Sequence, residues 1–296
     1  MEILSVRHVT TYRYRRPVAF GEHVMLLRPR DDEDQSVLFA DLVITPPPSD
    51  LSWAQDGFGN HVARASFARR ARTLSVTSVV RVRKRRAGFD PAAIAHHARI
   101  VPFVYGPEDA ARLAEFLRPV GSHPALGRWV KRFLTAGGTV DTGDLLIGMT
   151  QAIRQDFRHL ARHEPGIQTP AETLKRRSGS CRDVAVLMIA ALRSLGLAAR
   201  FVSGYLRVGD QDDVEDLTGG NTHAWVQVFV PGPGWVDFDP SSGAVGNKDL
   251  VRVAVVHDPV AAIPLQGTWF GVTGDHISMD VAVKVTADPA LHGDGP

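Results

Sequence analysis

The sequence predicts an α+β protein in which an antiparallel β domain precedes a core of helices packed on a second antiparallel sheet. Three observations carry this. Up to about residue 95, short apolar runs are broken by proline, glycine and charged turns, the pattern of an all-β unit. From Gly88 the apolar spacing turns helical, and beyond Gly196 it returns to alternation. The 296-residue length suits two domains, read as 1–95 and 96–290, each able to bury a core of its own.

In chain order, strands are expected at Ile3 to Tyr14, His23 to Leu27, Phe39 to Thr45, His61 to Phe67 and Thr73 to Arg83. They are separated at Asp31-Asp32-Glu33-Asp34, Pro46-Pro47-Pro48 and Asp56-Gly57-Phe58-Gly59-Asn60. Arg81, Arg83, Lys84, Arg85 and Arg86 form the densest basic run, with Arg64, Arg69, Arg70 and Arg72 upstream. A phosphate-binding role has little else behind it. The chain carries a net charge of only +2 and has no helix-turn-helix, zinc-ligand or RNA-binding signature. The run therefore reads as a solvated strand end leading into the linker, and no nucleic-acid partner is expected.

Helices follow at Pro107 to Leu117, opened by proline and acids, and at Ala125 to Leu134, stopped by Gly137-Gly138. A longer helix is expected over Asp144 to Leu160, where Leu145, Met149, Ile153 and Phe157 recur every fourth residue. Thr169-Pro170-Ala171-Glu172 supplies an N-cap, a proline at the first helical position and a glutamate at the third, so a short helix should run to about Arg177 and stop at Gly179. The next helix starts at once. Ser180 can cap it, Asp183 completes an approximate capping box, and Val184, Leu187, Met188, Ala191, Leu192 and Leu195 form its apolar face before Gly196.

That helix opens on Cys181, the only cysteine of the chain. Unpaired N–H groups and the positive end of the helix dipole favour thiolate there, and a nearby histidine would favour it further. A lone cysteine is more often an inert core residue. Two later segments shift that balance. In Asn221 to Val230, Ala224, Val226, Val228 and Val230 share one face while His223, Trp225 and Gln227 share the other. After the turn Pro231-Gly232-Pro233-Gly234, the stretch from Trp235 to Asp239 resumes the alternation and ends at Pro240. If odd residues pair with odd, His223, Trp225, Asp237 and Asp239 project from one face of the hairpin, with His223 and Asp239 adjacent or diagonal. Trp225 and Trp235 flank this site, either lining an acyl channel or packing in the core.

Ser178-Gly179-Ser180-Cys181-Arg182-Asp183, His223-Ala224-Trp225 and Gly234-Trp235-Val236-Asp237-Phe238-Asp239-Pro240-Ser241 resemble, in order, the three signature blocks of bacterial transglutaminase-like proteins. The resemblance implies a papain-like fold with Cys181 as nucleophile, His223 as general base and acid, and Asp239 as the orienting carboxylate. Asp237 is the weaker alternative, since the family motif sets the carboxylate directly before the proline. Gln227, Asp237 and Ser241 depart from residues common in the family, which bears on substrate preference more than on the triad. His8-Val9-Thr10-Thr11-Tyr12-Arg13-Tyr14, Leu27-Arg28-Pro29-Arg30 and Asp56-Gly57-Phe58-Gly59-Asn60 likewise resemble the β-rich region that precedes such domains.

The implied activity is thiol-dependent cleavage of peptide or carboxamide bonds through a thioester, with hydrolysis favoured over transfer to an amine. The alternatives are a protein-glutamine acyltransferase that cross-links and a non-catalytic peptide-binding module. A peptide or protein substrate is expected, and the oligomeric state is open. No metal or organic cofactor is implied. His96-His97, His159 and His163 lack zinc-ligand spacing, no EF-hand-like loop appears, and glycine-rich phosphate loops are absent. One cysteine excludes an intramolecular disulfide framework. No apolar run reaches about 18 residues, and Met1 to Arg7 does not read as a signal peptide, so a cytoplasmic protein without membrane partners is the expectation. Asp210 to Gly220, just before His223, reads as a solvated connection or a cleft rim. Leu250 to Val256 and Ile277 to Val285 should close the sheet, and Asp288 to Pro296 should fray.

Overall fold

The structure, a computed structural model, describes residues 1–85, 88–121, 123–160, 166–207 and 222–287. The Asp210 to Gly220 stretch, the end from Asp288, Arg86 and His163 lie outside the described residues.

The first sheet contains β1 (Glu2–Met25), β2 (Gln35–Thr45), β3 (Asp50–Gln55), β4 (His61–Ser66) and β5 (Ala71–Lys84), in the order β2-β5-β1-β4-β3. Two expected strands are here one: β1 runs unbroken through Arg15-Arg16-Pro17. Its register against β5 shifts between Arg13 and Val18, and at such an irregularity a proline costs no ladder bond. Sequence reading missed β3 because all its residues are exposed, as suits a short edge strand held by pairing with β4.

The helices are α1 (Pro107–Leu117), α2 (Pro124–Val130), α3 (Thr142–Asp156), α4 (Pro170–Arg176) and α5 (Cys181–Ser194). Leu145, Met149, Ile153 and Phe157 are all buried, yet α3 stops at Asp156, so Arg158 and His159 leave the helix as a short extended segment. The second sheet contains β6 (Ala199–Leu206), β7 (Thr222–Val230), β8 (Gly234–Asp239) and β9 (Leu250–Val256), in the order β8-β7-β6-β9, with Ala244–Val245 paired outside β8. Ala224, Val226, Val228 and Val230 face the helices within the largest apolar cluster, which takes in most of α5.

The last two strands, β10 (Leu265–Phe270) and β11 (His276–Ala287), both pair with β1. The stretch Ile277 to Val285 thus closes the first sheet and not the second. The chain's end returns to its beginning, and a third apolar cluster joins the sheets through Leu4, Val6, Val80, Val82, Tyr205, Val251, Val253 and Val283.

Polar groups also fix the two sheets together. The edge strand β9 would expose unpaired backbone groups, a liability in any sheet. Two buried amides from the first region meet them. Gln35 Nε2 donates to the Arg252 carbonyl at 2.8 Å while the Arg252 N–H donates to Gln35 Oε1 at 3.0 Å. Asn60, which ends the Asp56-Gly57-Phe58-Gly59-Asn60 turn, makes the same pair of bonds with Val255, both at 2.8 Å. Lys84 was expected at a solvated strand end, but it is buried with its ammonium donating to the Leu250 carbonyl. Burial lowers it to about 8 against the pull of Asp237, Asp32 and Asp249.

Candidate active site

α5 begins as its residues require. The Ser180 hydroxyl accepts from the Asp183 N–H, and Asp183 Oδ2 accepts from the Ser180 N–H at 2.8 Å and from its hydroxyl at 2.9 Å. The other oxygen of Asp183 accepts the Gln168 N–H at 2.7 Å, so one buried carboxylate ties the helix start to the segment entering α4. Cys181 therefore occupies the first helical position with its N–H free of any intrahelical partner.

Gly179 does not end α4 as expected. Arg177 does so in the left-handed conformation, with φ of 53°, while Gly179 is extended. Its need for glycine is one of space: a Cβ there would lie 2.7 Å from Asp183 Cβ. Ser178–Gly179 pairs in parallel with Arg158–His159, which sets His159 opposite Gly179, two residues from the cysteine.

The hairpin has the odd-with-odd register, with Gln227 opposite Asp237 and Val226 opposite Phe238. His223 is thus diagonal to Asp239. Its Nε2 lies 2.8 Å from Asp239 Oδ2, which leaves Nδ1 as the nitrogen available to the sulfur. Asp239 is wholly buried. It also accepts from the Ser242 hydroxyl at 2.6 Å and from the Ser241 hydroxyl at 2.8 Å and N–H at 2.9 Å. Burial by itself would raise this carboxyl, but the imidazole and these donors hold it down at about 2.

The same face sorts the other candidates. Asp237 is taken by the Trp225 indole N–H at 2.7 Å and by Arg252 Nη1 at 2.8 Å, so it does not serve the histidine. Trp225 is fully buried and its ring lies nearly parallel to that of His223 at 6.1 Å, a backing for the imidazole and not a channel wall. Trp235 packs beneath the Arg200 guanidinium at 3.9 Å. Gln227 accepts from Arg200 Nε at 2.9 Å.

At the sulfur, burial pushes the thiol up. Hydrogen bonding to His159 and His223, the charge of His223 and the Ala224 N–H outweigh it and bring Cys181 down to about 6. His223 moves the opposite way. Burial disfavours its charge, but Asp239 and the sulfur raise it well above the ordinary imidazole value. Cys181, His223 and Asp239, far apart in sequence, therefore form one coupled line of groups. His159 was missed as a member of this site. The only signal was its place just beyond Phe157, the last buried residue of the α3 stripe, and sequence reading had kept it inside that helix.

Residues 130–240 match the transglutaminase-like superfamily, and residues 4–83 match the bacterial transglutaminase-like N-terminal region. The second region thus carries a transglutaminase-like core, and the first resembles the region that precedes such cores. The core match supports a thiol enzyme family. It is 28% identical to the uncharacterised protein Rv2569c of Mycobacterium tuberculosis over 97% of its own length and 94% of that protein's. It is 32% identical to the uncharacterised protein ML0607 of Mycobacterium leprae over 39% of this chain and 40% of the other. In fold it is similar to a proposed cysteine protease from Cytophaga hutchinsonii. That similarity has a TM-score of 0.73 and 20% identity, and covers 97% of this chain and 90% of the other.

Proposed function

We propose that this transglutaminase-like chain is a cysteine hydrolase of peptide or carboxamide bonds, with Cys181 as nucleophile, His223 as general base and acid, and Asp239 as the carboxylate that orients the imidazole. One observation carries the reading: a thiol brought down to about 6 at a helix start faces an imidazole whose other nitrogen is 2.8 Å from a buried carboxylate. An inert core cysteine has no use for that line of groups. The similarity in fold to a proposed cysteine protease supports it.

In the proposed reaction the Cys181 thiolate adds to the substrate carbonyl carbon, and the Cys181 N–H helps hold the resulting oxyanion. His223 gives its proton to the departing amine as the C–N bond breaks, leaving a thioester. Water then loses a proton to His223 and adds to the thioester carbon, and the C–S bond breaks to release a carboxylic acid and the thiolate. His159 acts through the sulfur as a positioning residue, its ring stabilising the thiolate. Hydrolysis is favoured over amine transfer because bulk water outcompetes an amine that has no bound geometry of its own.

The pH dependence follows from the two shifts. Activity falls as pH drops through about 6, where the sulfur is protonated, and again in the alkaline range, where His223 loses the proton that the leaving amine needs. The deciding experiment is mass spectrometry of a glutamine-containing peptide library incubated with the protein, with and without a primary amine. Cleavage or deamidation that is unchanged by the amine is expected, whereas amine adducts would identify a transferase. Cys181→Ala should remove turnover by on the order of 10⁵-fold or more, together with iodoacetamide labelling, and retained turnover would remove the proposed nucleophile.

A further inference from the structure

A cavity of about 410 Å³, separate from the thiol, opens beside the C-terminal half of α5. Its floor includes Arg193, which follows Cys181 by twelve residues and so lies ~18 Å along the helix from it. The volume falls in the range of small-molecule sites, and the walls are mostly apolar, among them Ile167, Val186, Ile189 and Val260.

One charged group at its wall lacks a natural complement. Arg193 is 4% exposed, and every partner of its guanidinium is a backbone carbonyl: Ala199 at 2.8 and 3.0 Å, His257 at 3.2 Å and Arg118 at 3.4 Å. No carboxylate among the described residues pairs with it. Burial lowers the group only to about 10, so at neutral pH the floor carries a positive charge without a counter-ion. A buried cation paired only with dipoles is a costly arrangement unless something completes it. Among the described lining residues the acid is Asp258, which accepts the Val260 N–H at 3.0 Å in its own turn and makes no ion pair with Arg193.

We propose that this cavity is a second binding site, for a small amphipathic carboxylate whose head lies against Arg193 and whose apolar body lies along Ile167, Val186 and Ile189. An uncharged apolar molecule would leave the guanidinium as it is, and an inorganic anion would leave the apolar walls wet. Only a ligand with both halves matches.

The test is calorimetric titration of the full chain at neutral pH with decanoate, decanol and decyltrimethylammonium. Decanoate should bind one to one and about tenfold or more tighter than either of the others, the worth of a charge-assisted hydrogen bond. Arg193→Met is an unsafe variant because the side chain also ties α5 to β6. Two other changes serve instead. Val186→Trp should fill the cavity and abolish binding, and Val260→Glu, at the exposed mouth, should weaken decanoate about tenfold without affecting decanol. Prior alkylation of Cys181 with iodoacetamide should leave decanoate affinity unchanged, which separates this site from the proposed catalytic one. Equal affinity for decanol and decanoate would overturn the proposal. So would loss of binding on alkylation, undiminished binding by Val186→Trp, or no binding of decanoate at all.

Discussion

The β7–β8 hairpin presents two carboxylates on one face, two residues apart, and the protein treats them in opposite ways. Asp239, at the end where the chain turns past Pro240, meets an imidazole and two serine hydroxyls and is held at about 2 despite burial. Asp237, one pleat further in, lies where the first sheet covers the second. There burial raises it to about 6 against the pull of Trp225, Lys84 and Arg200. The same side chain on the same strand face thus serves an imidazole at one position and an interface at the other. What differs is the element that packs against it, and strand alternation by itself cannot report that.

Substitutions at the two positions should separate these roles. Asp239→Ala should cost about 10³ to 10⁴ in turnover, because the imidazole loses its fixed orientation. Steady-state kinetics beside a melting curve would show it, and equal loss of activity in Asp237→Ala would erase the contrast. Asp237→Ala should instead cost about 1 to 3 kcal/mol of stability, a fall of several degrees in Tm, since it leaves the buried Trp225 N–H without its acceptor, while Arg252 keeps Asp32 and Asp34. The acid response has opposite signs at the two positions. Asp239 contributes stability above the ordinary carboxylate pKa that is lost as pH falls towards about 2, whereas the contribution of Asp237 is present at acid pH and lost as pH rises through about 6.

Smaller effects sharpen the boundary between interface and site. Asn60→Ala should leave the Val255 backbone unpaired and cost about 1 to 3 kcal/mol in chemical denaturation, with no change in the pH profile of Cys181 alkylation. His159→Phe should do the reverse. The alkylation pKa should move up from about 6 towards the ordinary thiol value, turnover should drop about tenfold, and stability should stay near that of the parent. An unshifted alkylation profile would leave His159 as a bystander.

Much of this site was legible because its signals are local. The capping pair Ser180 and Asp183, the stripe of α5 and the alternation around His223 each act within a few residues, and the short three-residue turn between Val230 and Gly234 sets the register that makes His223 and Asp239 diagonal. His159 was not legible. Its role depends on α3 stopping at Asp156 so that the next residues can pair with Ser178–Gly179, a competition between helix and strand that no short window resolves. Lys84 failed for a related reason: a basic run reads as solvated until a second sheet covers one side of it.

By itself the sequence determined the fold class, the helix that begins at the cysteine and which face of the hairpin would carry the histidine, because helical and strand periodicities and capping are properties of neighbouring residues. Tertiary structure alone decided which carboxylate the histidine receives and that the chain's last strand returns to its first. It also brought a second imidazole to the sulfur. Each of these depends on contacts between segments tens to hundreds of residues apart, where the free energy lies in burial and pairing across the sheets and not in any local preference.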